Sequence, residues 1–212
     1  METKEFKAAL VINLLLCFTF ISNFALSQQV GVRALVGYRV AGNAKTPSGI
    51  VMPRESINFQ FVGSFELENG IILDASYLTS PSHIKFRAAP MENWQQLGEI
   101  QVSSLMVGGG FQSNEPTAAI VPFGIFRIGR MNISSLEDRF SSFGKLAFAM
   151  EGGVKLPFSQ RFGLVTQINM IMPVHGGEKD LFADSLGVYQ FNPNVGITLV
   201  QFALNTGFYL KF

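Results

Sequence analysis

An all-β fold, an eight-stranded antiparallel up-and-down transmembrane barrel, is the class this sequence predicts, and three observations carry it. From residue 28 to Phe212, segment after segment places apolar residues at every second position, the period of an extended strand with two unlike faces. Short and long connections take turns, so that tight turns gather at one end of the sheet and long loops at the other. Only 15% of the 212 residues are charged, against about 25% in ordinary soluble domains, and the polar faces are built largely from Gly, Ala, Ser, Asn and Gln.

The first 27 residues stand apart. Lys4 and Lys7 precede the apolar run "AALVINLLLCFTFISNFALSQQ", which ends on Ala25-Leu26-Ser27. A basic start, an apolar middle and small residues at the end define a secretory leader, expected to be cleaved after Ser27. Asn13 and Asn23 interrupt the run and argue against an uncleaved anchor helix. Leu16 before Cys17 argues against a lipid-modified cysteine. Cys17 is the one cysteine in the chain, so residues 28–212 are expected to fold as one domain without a disulfide.

In "VGVRALVGYRV", Val30, Val32, Ala34, Val36, Tyr38 and Val40 share one face, and Gly31, Arg33, Leu35, Gly37 and Arg39 the other. "INFQFVGSFEL" alternates more cleanly, with Ile57, Phe59, Phe61, Phe65 and Leu67 opposite Asn58, Gln60, Val62, Ser64 and Glu66. The third to eighth strands are "IILDASYLTS", "GEIQVSSLMVGGG", "AAIVPFGIFRIG", "KLAFAMEGGVKL", "RFGLVTQINMIM" and "ITLVQFALNTGFYLKF". The fourth and fifth alternate poorly, which leaves their facing open and ten strands as the alternative to eight. The glycines at 108 to 110 mark a bulge or a taper.

Alternation alone fits a sandwich, a water-soluble barrel or a transmembrane barrel. A soluble protein turns a Lys-, Glu- and Asp-rich face to water. Here the polar face is small and sparsely charged, as suits the narrow interior of eight strands, which leaves the apolar face to lipid. Strands of about 10 to 12 residues match a tilted membrane strand, and an even number returns both termini to one side. Phe65, Phe162, Phe208 and Phe212 are expected as a girdle at the short-turn end, and Tyr38, Phe59 and Tyr77 toward the long-loop end. A net charge of +1 without a basic cluster gives no nucleic-acid footprint.

The candidate chemistry lies in the inward charges. Arg33, Arg39, Lys155 and Lys211 face Glu66, Asp74 and Glu151 in the alternation, a near balance that predicts a lumen ion network rather than a selectivity ring of one sign. For Arg39 and Lys211 a solvated interfacial position is the open alternative. Within "FELENGIILDAS", a two-residue Asn69-Gly70 turn pairs Glu66 with Leu73 and sends Asp74 to lipid; a three-residue turn through Ile71 pairs Glu66 with Asp74, both inward. The second register keeps both apolar faces intact. It predicts a single cluster of Glu66, Asp74, Arg33 and Lys211 at the short-turn end. His83 and His175 fall in predicted long loops without the geometry of a triad, and His175, Glu178 and Asp180 are spaced as in an ordinary solvated turn, so neither a catalytic nor a metal site is expected, nor any cofactor.

The leader, "VPFGIFRIG", "EGGVKLPFSQRFGLVTQINMIMPV" and the "GFYLKF" ending together resemble the small outer-membrane β-barrel proteins of Gram-negative bacteria, the class of the OmpA barrel, OmpX and OmpW. In style the chain is most similar to the outer-membrane β-barrel domain proteins of Bacteroidota, over residues 28–212. The resemblance implies a monomer in the cell outer membrane, surrounded by outer-membrane lipid and lipopolysaccharide, with periplasmic termini and turns and four surface loops. It implies that Phe208, Leu210 and Phe212 form the signal read by the barrel-assembly machinery. It fixes no single activity. A structural or surface-interaction role is expected, in envelope integrity, adhesion or partner binding through the loops. A narrow channel or a carrier of small hydrophobic molecules is the alternative, and a lipid-modifying enzyme at the outer rim is the third.

Overall fold

The computed structural model describes residues 28–46, 49–88, 93–115, 118–136, 142–174, 181–183, 189–191 and 200–212; the leader and His175, Glu178 and Asp180 lie outside them. Among these residues the strands are β1 (Gln28–Ala41), β2 (Ala44–Thr46), β3 (Gly49–Pro53), β4 (Ser56–Leu67), β5 (Ile71–Ala88), β6 (Gln95–Gln112), β7 (Val121–Ser135), β8 (Phe143–Pro157), β9 (Phe162–Pro173), β10 (Leu181–Ala183), β11 (Tyr189–Phe191) and β12 (Gln201–Lys211). Eight of them form a ring in the order β5-β4-β1-β12-β9-β8-β7-β6, and β6 pairs back onto β5. Every pairing is antiparallel. Closure leaves the ring without a free strand edge, which is what a strand needs in order to cross hydrocarbon. The β2–β3 hairpin raises the wall at the long-loop end: β3 pairs with β5 from Ile84 to Ala88, beyond the stretch of β5 that β4 covers. The β10–β11 hairpin is a separate two-stranded sheet.

Burial is inverted relative to a water-soluble protein. Phe61 and Phe208 are 56% and 54% exposed, while Gln60 and Asn205, one residue or a few away on the other face, are 1% and 0% exposed. In water such an arrangement would expose the apolar residues and pack the polar ones. In a bilayer it satisfies both, because lipid covers the outer face and the polar groups pair with one another inside. At the short-turn end the ring of Phe162 stacks on that of Phe208 at 5.4 Å and meets Phe158 at 5.9 Å, and Phe65, Phe111 and Phe212 are exposed on the same outer face. Phe59, Tyr38 and Tyr77 stand outward further along the wall.

The β4–β5 turn corrects both registers derived from the sequence. Ser64 pairs with Asp74 and Glu66 with Ile72, so the loop is Glu68-Asn69-Gly70. Gly70 closes it with φ of 83°, and its amide donates to the Leu67 carbonyl at 2.9 Å; only the last loop position demands the left-handed conformation that glycine supplies. The Asn69 side chain accepts from the Ile71 amide at 3.2 Å, an Asx-type turn that holds this register. Asp74 points inward, but two residues along from the level of Glu66.

The glycines of β6 form no bulge. The β6–β7 register runs unbroken through them, and the ladder shifts instead between Ile84 and Lys85, opposite Gly98 and Gln96. Gly108 lies against the backbone of β7, where a methyl group would stand 2.0 Å from the Phe126 carbonyl oxygen and 2.7 Å from the Arg127 Cα. The two strands whose alternation is weak also take a definite facing: Ile100, Val102, Ser104 and Met106 of β6, and Phe123, Ile125, Arg127 and Met131 of β7, are buried inside.

Candidate functional site

Among the described residues, the lumen gathers the densest set of charged and polar side chains. At its middle, Arg33 of β1, Asp74 of β5, Arg127 of β7 and Glu151 of β8 meet, with side chains at most 2% exposed. Arg33 donates to Asp74 at 2.8 Å and to Glu151 at 3.0 Å. Arg127 grips the same two acids from the far wall, through Nε and Nη2 on Asp74 at 2.7 and 2.6 Å and through Nη1 and Nη2 on Glu151 at 2.6 and 3.0 Å. In the strand order β1 and β7 are four places apart, so the cluster braces opposite walls. Two guanidinium groups face two carboxylates, and forked, charge-assisted bonds of this kind are what make buried charge tolerable.

An amide layer completes it. Gln167 of β9 donates to Glu151 at 2.7 Å and to Gln60 at 3.0 Å, Gln60 of β4 donates to Glu151 at 3.1 Å, and Asn205 of β12 donates to Gln60 at 2.7 Å. Asn58 donates to Asn205 at 2.9 Å. β6 contributes Gly108, directly opposite Arg127 in the register, where the absent side chain leaves room for the Arg127 backbone and the Cγ of its stem.

A second cluster sits toward the short-turn mouth. Glu66 receives hydrogen bonds from Lys155 and, at 2.7 Å, from Lys211, while Gln112 donates to Glu66 at 2.9 Å and accepts from Lys155 at 2.7 Å. Phe123 lies between the clusters, its ring 5.2 Å from the Arg33 guanidinium and 5.7 Å from the Lys155 ammonium. The single group expected from Glu66, Asp74, Arg33 and Lys211 is thus two: Arg33 belongs with Asp74 and Glu151, and Lys211 with Glu66 and Lys155. The two-residue offset of the turn register causes the split.

Arg39, 1% exposed, occupies a third level toward the long loops. It donates to Gln201 at 3.0 Å and to Ser56 at 3.2 Å, without a carboxylate among the described residues. Beyond it the lumen is filled by an apolar cluster that includes Leu78, Ile84, Ile100, Val102, Met131 and Ile133. Arg127 was not among the inward charges read from the sequence. The strand around it is apolar on both faces, so alternation gives no facing; the glycines of the neighbouring strand are the signal that could have found it.

His83 is on β5, on the outer face, with Nε2 3.2 Å from Glu99. Phe208 and Leu210 point outward along β12, Phe212 just beyond it is exposed, and the Phe212 amide donates to the Val30 carbonyl at 2.8 Å, which extends the β1–β12 seam by one residue.

No family model and no curated protein matches the chain. Among solved structures it is similar to the outer membrane protein OprG from Pseudomonas aeruginosa, with a TM-score of 0.62 and 10% identity over 88% of this chain and 96% of that one. Neisserial surface protein A gives a TM-score of 0.55 at 12% identity over 86% and 97% of the two chains. The outer membrane protein AlkL, solved in DMPC lipid bilayers, gives 0.55 at 14% identity over 88% and 90%. At these identities the likeness is one of fold: the chain has the closed eight-stranded fold of small outer-membrane β-barrels.

Proposed function

We propose that the protein is a non-conducting barrel of the outer membrane whose role is structural and interactive, a rigid stave cylinder that carries its long loops at the cell surface. The observation that supports this reading is the charge-balanced brace of Arg33, Arg127, Asp74 and Glu151. It spans opposite walls, and the apolar cluster fills the lumen beyond it. A pore needs a continuous hydrated path, and the described lumen holds packed side chains at two successive levels. No catalytic role is assigned to any residue.

A second reading, a carrier of small hydrophobic molecules, draws on the same apolar cluster at the long-loop half of the lumen. Planar-bilayer recording and partition of a radiolabelled alkane into liposomes separate the two. The structural reading expects no unitary conductance above the bare bilayer and no faster alkane entry than protein-free liposomes. Discrete openings, or accelerated entry, would replace it by the channel or the carrier respectively.

A further inference from the structure

The outer face of β5 changes chemistry along its length. Leu73, Ala75 and Tyr77 lie in the apolar belt, and the same face then presents His83, Lys85 and Arg87. A strand that passes from apolar to basic on its lipid side is crossing from hydrocarbon into the headgroup layer. At that level a cleft of about 460 Å³ opens on the outside of the wall, lined by Tyr38, Arg54, Glu55, His83, Lys85 and Trp94.

The cleft is fixed by the sheet. The Arg54 amide donates to the His83 carbonyl at 2.8 Å, and the Ser82 hydroxyl donates to the Arg54 carbonyl at 2.6 Å. Both nearby carboxylates are engaged, Glu55 by the Tyr38 hydroxyl at 2.9 Å and Glu99 by His83. The Arg87 guanidinium lies 5.0 Å above the Trp94 ring. Among the described residues Arg54 and Lys85 form no ion pair, and with Glu55 as the single carboxylate on the lining, the two cations leave the cleft a surplus of one positive charge.

We propose that this cleft binds the phosphate of a lipid headgroup in the leaflet on the long-loop side, with Arg54 and Lys85 on the phosphate oxygens and Tyr38 and Trp94 against the headgroup's apolar margin. Phe59 of β4 and Tyr77 of β5 are exposed on the same outer wall, further toward the short-turn end, so a ligand whose acyl chains lie on that belt presents its phosphate at the height of Arg54 and Lys85. The inference rests on the membrane placement above.

The test uses the full barrel in phosphatidylcholine nanodiscs doped with diphosphorylated lipid A, and counts retained lipids by native mass spectrometry. Retention of one lipid A per barrel is expected, falling roughly tenfold in an Arg54→Ala/Lys85→Ala variant. Both side chains lie outside the lumen, so that variant should show the same heat-dependent gel shift as the parent. Equal retention by parent and variant, or equal retention of chemically dephosphorylated lipid A, overturns the proposal. Displacement by millimolar inorganic phosphate overturns the lipid assignment and leaves a free-anion site. Failure of the membrane placement itself reads out differently, as loss of the gel shift in the parent.

Discussion

Arg127 is the residue on which the lumen turns. It makes four hydrogen bonds to two acids that Arg33 reaches with one each, so its removal leaves two buried carboxylates sharing one cation. Arg127→Met should lower the equilibrium unfolding free energy, measured by urea titration in lipid vesicles, by about 3 to 5 kcal/mol, the usual cost of breaking a buried pair. Adding Asp74→Asn removes the surplus charge and leaves Arg33 facing Glu151 alone, so the double variant should recover most of that loss. A double variant no more stable than Arg127→Met would show that shape, not charge balance, is what Arg127 supplies. Glu66→Gln should also destabilise the barrel in the same titration: Lys211, 19% exposed, can turn to the water at the mouth, but Lys155, 2% exposed, is left as a buried ammonium whose hydrogen-bond acceptor is the neutral Gln112. The sequence disclosed most members of this network through period-two alternation in β1, β4, β8 and β12, where a charge stands against an apolar opposite face. It concealed Arg127, flanked by Phe126 and Ile128 on one face and by Ile125 on the other, because two apolar faces give no contrast.

At the scale of the strand, the legible and the illegible divide along the same physical line. Which residues form the staves follows from local alternation, and the even count from the alternation of connections. Register does not, since it is set by a few atoms in each turn. In the β4–β5 hairpin the Asn69 side chain and the left-handed Gly70 choose a loop that the apolar pattern cannot tell from one shifted by two residues, for both keep the same faces inward. Glycine substitutions test this reading. Gly70→Ala places a side chain at φ of 83° and 2.5 Å from the Gln112 carbonyl oxygen, and should cost about 1 to 2 kcal/mol from backbone strain alone. Gly108→Ala meets the β7 backbone and should cost about 1 to 3 kcal/mol as overpacking. Gly63→Ala, with nothing within 4 Å of the added methyl and lipid outside, should leave stability unchanged. Equal losses at all three positions in the same urea titration would mean that close approach between strands is not what these glycines serve.

For the whole molecule the decisive feature is closure, and its consequences can be separated from those of assembly. A ring without edges opens only by breaking a complete strand ladder together with the braces inside it, so the folded protein should resist sodium dodecyl sulfate at room temperature and migrate differently before and after boiling. Identical migration would count against the barrel. Phe212 then distinguishes being stable from being built. Its side chain points to lipid, 70% exposed, and the β1–β12 ladder already runs in register from Ala41 opposite Gln201 to Gly31 opposite Lys211. Deleting Phe212 removes one further backbone bond, to Val30, and one girdle ring. Refolded from urea into vesicles, the truncated chain should therefore keep its gel shift and lose only about 1 kcal/mol, the worth of a single hydrogen bond. In cells, if Phe208, Leu210 and Phe212 serve as the signal for the assembly machinery, the same deletion should lower the yield of folded barrel in the membrane and leave the secreted, unfolded precursor in the periplasm. Equal yields in cells would remove the signalling role, and failure to refold in vesicles would instead make Phe212 a structural part of the seam.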